Sequence, residues 1–408
     1  MSETLRFLHC ADLHLDSGFK GIGELPGTLA EDIRESTFYA LECLVEKAIL
    51  HHVDFVLMVG DLFDYETRSL KAQLRLKHAF EQLNAQGIPV YISHGNHDYM
   101  NGPFHAIDYP ENVHVFSEEK VTSMLFQKDG KPLARLYGFS YQDRAMTDRK
   151  VHEYQKLDDT LFHIGMLHGS IDTNTDHDVY APFHMKELTA ADMDYWALGH
   201  IHKREILTDN PPVVYPGNIQ GRSTKETGEK GCMLVELTET DHTLEFIPLQ
   251  AFRFERISLD VSETDRLNQL ETFLTQKKEE WRQDAPAVIK LELTAKGEFV
   301  KRVDDSGELA ELIDVLNEQE AHETQWIWLS QPSINEIPSW DEQKLREEKH
   351  FMGEVVRQTD DTTSAGEWLE PLYRHRIARR HLDSLSLEDE EEILEEAKGL
   401  ILRHLLKE

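Results

Sequence analysis

Cysteine and long apolar runs are both scarce in this 408-residue sequence. The three cysteines, Cys10, Cys43 and Cys232, are odd in number and lack the paired spacing of a zinc site, which argues against a disulfide framework. A reducing, cytoplasmic setting is therefore expected. No apolar run reaches the roughly 18 residues that a spanning helix needs, so no membrane span is expected either.

Basic residues are also in deficit. The chain has 43 Lys and Arg against 76 Asp and Glu, a formal net charge of −33, of which residues 251–408 carry −16 and residues 1–250 carry −17. Acidity spread in this way argues against nonspecific nucleic-acid binding, which depends on a basic surface. It does not exclude a phosphodiester substrate, because bound divalent cations would supply positive charge where the phosphate sits.

Strands and helices alternate in the first hundred residues. Apolar runs at 5–13, 53–63 and 88–95 predict buried strands, and helical periodicity at 31–52 and 69–86 predicts the helices between them. This order favours a parallel sheet with helices on its faces. From residue 113 short strands follow one another with few helices. The sequence therefore predicts an α/β fold, a two-sheet αβ sandwich in domain 1–252.

The rest of the chain predicts two further parts. Residues 253–340 combine strands, a helix at 264–283 and the apolar segment TQWIWLS, which predicts a small αβ cap domain. Residues 341–408 predict a helical C-terminal tail. The last helix has an apolar stripe that must be buried against the cap domain or against a partner. The stripe comprises Ile393, Leu394, Ala397, Leu400, Ile401, His404 and Leu405.

Potential metal ligands follow the ends of five predicted strands. In open α/β sheets the carboxyl ends of strands line one crevice, so these side chains are expected to converge. Carboxylate, imidazole and amide groups supply the mixed ligands that suit Mn²⁺, Fe²⁺ or Zn²⁺. The set is too large for one ion but fits two if one carboxylate, Asp61 at the central strand end, bridges them. Its members are Asp12, His14, Asp61, Asn96, His168, His200 and His202.

The motifs that carry these residues resemble those of a known family. The series is Asp-x-His at 12–14, Gly-Asp at 60–61, Gly-Asn-His-Asp at 95–98, His-Gly at 168–169 and Gly-His-x-His at 199–202. It resembles the series of the calcineurin-like metallophosphoesterases. The segments FLHCADLHLD, GDLFD, GNHD, LHGS, ALGHIH and YPGNIQGRS are similar to those of SbcD/YhaO-type DNA-repair exonucleases, over roughly residues 5–235.

The resemblance implies a role for each of these residues. One metal would be held by Asp12, His14, Asp61 and His202, and the other by Asp61, Asn96, His168 and His200. His97 would bind no metal; it would lie by the scissile phosphate and help the leaving oxygen depart. Asp98 would hold the His97 imidazole in place.

The resemblance also implies a function. Residues 1–252 would be a dinuclear catalytic domain, and the protein a Mn²⁺-dependent exonuclease or endonuclease of DNA repair, with metal-bound hydroxide attacking the phosphodiester. A homodimer is implied, with an SMC-like coiled-coil ATPase of the SbcC/YhaN type as partner of residues 341–408. One position departs from the pattern. Where nucleases of this branch often have a histidine linked to exonucleolytic handling of DNA, this chain has Asp64, which leaves the polarity of cleavage open.

Other interpretations stay open at this point. A small-molecule phosphodiesterase, acting on cyclic nucleotides or phospholipid precursors, would use the same metals, and a DNA-end-binding scaffold could retain only weak catalysis. Arg222 in the polar loop 217–223 is a candidate hydrogen-bond donor to a substrate phosphate, although the loop also fits an ordinary hairpin. The cationic segment RHRIARR at 374–380 is either a solvated helix face or a contact for DNA or an acidic partner.

Overall fold

The computed structural model describes residues 3–19, 25–64, 69–102, 107–172, 180–282, 285–296, 299–336, 342–360, 364–375 and 387–406. The chain divides into two compact units. The first comprises Met1–Leu259, Arg266–Glu292 and Asp304–Ser333, and the second comprises Asp260–Asp265, Leu293–Val303 and Ile334–Glu408. The domain boundaries predicted near 252 and 340 stay predictions.

Residues up to 250 form twelve strands and three helices among the described residues. The strands are β1 (Thr4–Cys10), β2 (Phe55–Val59), β3 (Val90–Ser93), β4 (Val113–Val115), β5 (Thr122–Lys128), β6 (Lys131–Gly138), β7 (Phe162–His168), β8 (Tyr195–Gly199), β9 (Glu205–Asp209), β10 (Pro212–Tyr215), β11 (Gly231–Thr238) and β12 (His242–Pro248). The helices are α1 (Gly27–Leu50), α2 (Leu70–Ala85) and α3 (Met185–Ala190), with a short 3₁₀ helix at Lys150–Glu153.

Two six-stranded mixed sheets face each other, as the sequence predicted. The first has the order β12-β11-β1-β2-β3-β4 and the second β5-β6-β7-β8-β10-β9. Strands β1 to β4 pair in parallel, and β11 joins β1 antiparallel, with Leu8 opposite Leu234. In the second sheet β6, β7, β8 and β10 are parallel, with antiparallel strands at both edges.

Successive side chains of a strand point to opposite faces of the sheet, so each central strand packs against the facing sheet on one side and against helices on the other. On β2, Phe55, Leu57 and Val59 face the second sheet, and Val56 and Met58 face α1 and α2. Because both faces of this sheet are covered, every residue of β2 is buried and the strand is a continuous apolar run. Helix α2 begins after Ser69, whose hydroxyl accepts a hydrogen bond from the N–H of Ala72 at 3.0 Å.

Beyond residue 250 the order of elements is β13 (Arg253–Asp260), α4 (Leu267–Trp281), β14 (Ala287–Ala295), α5 (Phe299–Asp305), α6 (Glu308–Glu318), a 3₁₀ helix (Gln319–His322), β15 (Ile327–Leu329) and β16 (Ser333–Glu336). A third sheet has the order β13-β14-β15. Trp326 is buried in a cluster with Phe252, Phe254 and Ile33, so it is a core residue.

Beyond residue 340 the described residues of the second unit form the helices α7 (Glu342–Glu347), α8 (Phe351–Asp360), α9 (Gly366–Tyr373) and α10 (Leu387–Leu406). The apolar stripe predicted on the last helix is mostly not buried within the part of the chain that the structure describes: Ile393 and Leu394 are half-buried and Ala397 is exposed. α10 packs against α8, and Lys398 and Leu402, one turn apart, are its buried residues among those described. Leu400, Ile401 and Leu405 are exposed instead.

Two further findings concern the tail and the helices. Of the cationic segment at 374–380, Arg374 is exposed and pairs with Glu370, whereas Arg376, Arg379 and Arg380 lie outside the described residues. Among the helices that the structure describes, none has the length and apolar character needed to cross a membrane.

Candidate metal centre

The predicted ligands come together at the carboxyl ends of β1, β2, β3, β7 and β8. Asp12, His14, Asp61, Asn96 and His168 are all at most 3% exposed. Several of them need an uncommon backbone: φ is +53° at Asp12, +41° at His14, +51° at Asp61 and +99° at His200. Positive φ costs free energy in residues other than glycine and concentrates at functional sites, where surrounding contacts hold it in place.

Backbone contacts hold these turns. The N–H of Asp12 donates to the carbonyl of Gly60 at 3.2 Å, and the N–H of His14 donates to that of Asp61 at 3.0 Å. Gly199 is required because a Cβ there would collide with the carbonyl oxygen of Val59. The ends of β1, β2 and β8 therefore lie too close together for side chains at every position.

A first group of ligand atoms joins Asp12, His14 and His202, whose atoms all lie within 4.8 Å of one another. Nε2 of His14 lies 3.1 Å from Nε2 of His202 and 3.8 Å from Oδ2 of Asp61. These are residues that the resemblance implied for one metal.

A second group joins Asp12, Asp61 and His168, again within 4.8 Å. Nε2 of His168 lies 3.4 Å from Oδ2 of Asp61 and 3.0 Å from Oδ1 of Asn96. The same oxygen of Asp61 thus faces His14 on one side and His168 on the other, the position expected of a bridging carboxylate. Asp12 also contributes to both groups.

His200 adjoins the second group by its ring. Its backbone N–H donates to both carboxylate oxygens of Asp12 at 3.1 Å, and its ring centroid lies 5.4 Å from that of His168 and 4.9 Å from that of Tyr180. Within the part of the chain that the structure describes, it belongs to neither group of converging ligand atoms.

Hydrogen bonds at Nδ1 turn Nε2 of two imidazoles toward the centre. Nδ1 of His168 lies 3.1 Å from the carbonyl of Val59, and Nδ1 of His202 lies 2.7 Å from Oε1 of Glu226. Such partners fix the tautomer of a metal-binding histidine. Glu226 was not predicted, because it lies in a loop with Glu229 nearby and no local pattern separates one acid from the other.

Burial and mutual contact set the charges of these groups. Burial raises the pKa of Asp12 to about 6, and it lowers the pKa of His200 to about 3. Burial also opposes the charges of Asp61 and His168, but their contact prevails. It holds the pKa of Asp61 well below its usual range and raises the pKa of His168 to about 9. The buried Asp61 carboxylate therefore stabilises positive charge on its neighbour His168.

Asp98 does not contact the imidazole of His97, so the partner predicted for His97 was wrong. The Asp98 carboxylate turns inward and accepts from the backbone N–H groups of Asp61, Leu62 and Gly95 at 3.2, 2.9 and 2.6 Å. It also lies 3.0 Å from Nδ1 of His94. Asp98 thus fixes the backbone on either side of the centre.

His97 contacts Asp64 instead. Nδ1 of His97 lies 2.9 Å from Oδ1 of Asp64, and Nη1 of Arg222 donates to Oδ2 of Asp64 at 3.0 Å. Burial opposes the protonated form of His97, but the bond to Asp64 outweighs it and raises the pKa of His97. Arg222 was predicted to donate a hydrogen bond to a substrate phosphate. In the structure its guanidinium forms an ion pair with Asp64.

The donor set fits divalent cations. Two converging groups of buried carboxylate and imidazole atoms share Asp61 as a neighbour, and an amide oxygen adjoins the second. Hard oxygen and imidazole donors in this mixture suit Mn²⁺, Fe²⁺ or Zn²⁺. A third group of converging ligand atoms comprises His14, Asp64 and His97. It is a weaker candidate for a metal, because one oxygen of Asp64 contacts His97 and the other is paired with Arg222.

Comparison with known proteins agrees with this geometry. Residues 5–204 match the model of the family described as calcineurin-like phosphoesterase. The chain is 40% identical to the uncharacterized metallophosphoesterase YhaO of Bacillus subtilis, over 99% of both chains. It is 27% identical to the DNA double-strand break repair protein Mre11 of Thermoplasma acidophilum, over 60% of this chain and 66% of that protein. For the Mre11 of Archaeoglobus fulgidus the identity is 25%, over 64% and 60%.

Proposed function

Because this chain belongs to the calcineurin-like phosphoesterase family, whose members hydrolyse phosphate esters, we propose that it is a metal-dependent nuclease that cleaves DNA. The observation that carries the proposal is the convergence of Asp12, His14 and His202 beside Asp12, Asp61 and His168. Two adjoining groups of ligand atoms, with the Asp61 carboxylate facing His14 of one and His168 of the other, are an arrangement that suits a pair of ions clamping a phosphoryl group.

We assign the first ion to Asp12, His14, Asp61 and His202, and the second to Asp61, Asn96, His168 and His200. Asp61 is proposed as the bridge because its Oδ2 faces His14 and His168 at 3.8 and 3.4 Å. The ions, when bound, would polarise the phosphoryl group and lower the pKa of a bound water. Manganese is proposed as the metal because of the resemblance to nucleases of this branch.

His97 is proposed to hold the proton that the leaving oxygen takes. Its ring lies 5.1 Å, centroid to centroid, from that of His14, so it adjoins the first ligand group. The contact of Nδ1 with Asp64 favours the protonated ring, which can donate a proton. Asp98 is proposed to act on the backbone, because its carboxylate holds the N–H of Asp61.

DNA is proposed as the substrate because the Mre11 proteins to which this chain is similar are named for repair of DNA double-strand breaks. The net charge of −33 disfavours a DNA polyanion over most of the surface, so contact near the ions would dominate binding. Asp64 stands where nucleases of the branch often have a histidine linked to exonucleolytic handling of DNA, so the proposal leaves the polarity of cleavage open.

The test combines metal counting with a nuclease assay. Native mass spectrometry of the full chain with MnCl₂ should find two ions, and linear, circular and single-stranded DNA should be cleaved only in the presence of Mn²⁺. Asp61→Asn should lose both the ions and cleavage, whereas the matched change Asp209→Asn, at an acid on the exposed strand β9, should keep both.

Three results would contradict the proposal. A parent protein that binds fewer than two ions rules out the dinuclear centre. Cleavage of bis(p-nitrophenyl) phosphate or a cyclic nucleotide without cleavage of DNA would indicate a small-molecule phosphodiesterase. Binding of DNA ends with both ions present and no cleavage would indicate a scaffold.

We also propose a cytoplasmic homodimer that binds an SMC-like coiled-coil ATPase of the SbcC/YhaN type. Leu70 and Leu74, one turn apart on α2, are 49% and 50% exposed, and they support α2 as the dimer contact. Exposed apolar residues of α10 support the tail as the ATPase contact. Analytical ultracentrifugation of a Leu70→Glu, Leu74→Glu variant tests the proposed dimer contact. The variant is expected to be a monomer with the parent's melting temperature.

A further inference from the structure

Glu226 contacts a candidate ligand and also the loop that follows β10. Its Oε1 lies 2.7 Å from Nδ1 of His202. Its Oε2 accepts hydrogen bonds from Nδ2 of Asn218 at 2.8 Å and from the backbone N–H of Arg222 at 2.7 Å. The carboxylate is 18% exposed. One partly buried acid therefore ties the end of β8 to the loop 216–230.

The contact with His202 decides which ring nitrogen faces the centre. An ionised carboxylate only accepts hydrogen bonds, so Nδ1 carries the hydrogen and Nε2 keeps its lone pair in the neutral ring. Nε2 is the atom that lies 3.1 Å from Nε2 of His14. A carboxylate behind a metal-binding imidazole fixes the ring orientation and increases its basicity.

The contact with the loop connects the same acid to the other side of the centre. The backbone of Arg222 is held by Glu226, and its guanidinium donates to Oδ2 of Asp64 at 3.0 Å. Asp64 in turn contacts Nδ1 of His97 at 2.9 Å. The chain of contacts thus runs from His202 to His97 through Glu226, Arg222 and Asp64.

We propose that Glu226 is a positioning residue of the metal centre, which holds His202 with Nε2 toward the ion and keeps the Arg222 loop in place beside it. The inference rests on the proposed function because it takes His202 as a metal ligand. Glu226 acts through His202, since its own oxygens are engaged by the imidazole and the loop.

Mn²⁺ binding to the full-length, metal-free protein tests this directly. Glu226→Gln keeps the size of the side chain and removes its charge. Isothermal titration with MnCl₂ is expected to show one of two binding steps weakened by about 10–100-fold, the usual effect of losing such a partner, with the other step unchanged. Glu229→Gln, at an exposed acid of the same loop, is the matched control and should bind as the parent does.

Two more variants separate the imidazole contact from the loop contact. Asn218→Ala removes a loop contact of Glu226, together with the bond from Nδ2 to the carbonyl of Gln220, and keeps the contact between Glu226 and His202, so both binding steps should match the parent's. Glu226→Asp keeps the charge but withdraws it from His202 by one methylene, and it should weaken the same step as Glu226→Gln. The latter variant keeps the test decisive if Glu226→Gln does not fold.

The inference is overturned if Glu226→Gln and Glu226→Asp bind both ions like the parent. It is also overturned if Asn218→Ala weakens the same step as strongly, or if both steps weaken together while the melting temperature of the metal-free protein drops, because the residue would then serve loop folding. A parent that binds no Mn²⁺ would contradict the proposed function itself. A parent with two binding steps and unaffected Glu226 variants would contradict this inference alone.

Discussion

Two acids could pair with the His97 imidazole, Asp98 beside it in the sequence and the distant Asp64. Hydrogen bonds of Asp98 to the backbone explain why the imidazole contacts Asp64. Asp98 is its neighbour in the chain, but three backbone N–H groups draw that carboxylate into the turn. Asp64 lies 33 positions away and comes from the end of β2. A backbone N–H has no other acceptor in such a turn, so leaving it unpaired would cost free energy.

Removal of the His97 imidazole should separate catalysis from metal binding. His97→Ala is expected to bind Mn²⁺ in the same two steps as the parent and to lower kcat for DNA cleavage by about 10²–10⁴-fold, the usual contribution of a general acid. Asp64→Asn should lower kcat by less, because the imidazole remains. The double variant should be no slower than His97→Ala if the contact of Asp64 with His97, and not its ion pair with Arg222, carries the effect of Asp64 on cleavage.

Exposed His78 on α2 provides the control, because His78→Ala changes the same side chain away from the centre. Independent effects of Asp64→Asn and His97→Ala that multiply in the double variant would contradict the shared role. Loss of Mn²⁺ from His97→Ala would make His97 a ligand and not the proton donor.

A second histidine, His9, should make the stability of the fold depend on pH. It lies between the sheets, with Nδ1 2.9 Å from the hydroxyl of Tyr195 and Nε2 3.1 Å from the carbonyl of Leu198. Burial lowers the pKa of His9 from 6.5 to about 3. Between these values the unfolded chain binds a proton that the folded chain does not. The free energy of unfolding should therefore fall with decreasing pH, by about 1.4 kcal/mol per pH unit from this group.

Urea unfolding of the metal-free protein between pH 4 and pH 7 (about the range where this group differs between states) measures that slope. His9→Gln should reduce the slope relative to the parent, and His78→Gln should leave it unchanged. Equal slopes for the parent and His9→Gln would show that His9 does not set the acid sensitivity.

For single residues, the sequence predicts the candidate metal ligands better than it predicts which side chains contact one another. Asp12, His14, Asp61 and His168 could be named because each follows a recognisable apolar strand. Glu226 and the Asp64–His97 contact could not, because their partners come from distant parts of the chain. Spacing within a motif says nothing about which loop will fold back over it.

Among the elements, the apolar strands in the middle of the sheets are predictable, whereas the two most polar edge strands are not. β2 and β8 are continuous apolar runs because helices and the facing sheet cover both sides. β9 and β12 have polar residues throughout, because one side or one edge is exposed to water, and neither was predicted. The antiparallel pairing of β11 with β1 depends on a contact 230 positions apart, which no local pattern records.

The third sheet depends on one buried ionic group. Glu320 is 2% exposed and pairs with Lys278 at 2.7 Å and with Arg282 at 2.9 Å, and it also accepts from the N–H of Ile327, at the start of β15, at 2.8 Å. Lys278 is 3% exposed. Removal of one partner leaves an uncompensated charge in the interior, which is more costly than the pair itself is stabilising.

Glu320→Gln should therefore destabilise this part of the fold. We expect the free energy of unfolding to fall by about 3–5 kcal/mol, measured by urea denaturation of the metal-free protein. Glu318→Gln, at an exposed acid two positions earlier, should change it by less than about 0.5 kcal/mol. Equal stability of the two variants would mean that Lys278 and Arg282 reach water when Glu320 loses its charge.

For the molecule as a whole, charge and exposed apolar surface point to different partners. The acidity is spread over the entire chain, so the proposed contact with DNA would depend on a small region near the proposed metal centre. Large apolar side chains are exposed on several helices of the second unit, at Phe351, Trp368, Leu372 and Leu400. Such a density of apolar residues in one small helical unit is typical of a protein-binding surface.

α10 provides the sharpest test of that surface. Lys398 and Leu402 are packed within the second unit, and Glu390 accepts from Ser364 and from the N–H of Ala365, both at 2.9 Å, at the start of α9. Deleting α10 would remove these contacts together with the exposed face, so substitutions are preferable. Leu400, Ile401 and Leu405 are 54%, 41% and 45% exposed and can be changed without opening the packed side.

A variant with glutamate at these three positions should keep the parent's melting temperature, both Mn²⁺ binding steps and cleavage of DNA. It should no longer copurify with a coexpressed SMC-like coiled-coil ATPase, because apolar burial drives a helix into a groove and three added charges oppose it. Leu157→Glu, at a 65% exposed leucine of the first unit, is the control and should copurify like the parent. An unfolded triple variant would place this face in the protein's own core. A folded triple variant that still copurifies would place the contact for the ATPase elsewhere on the chain.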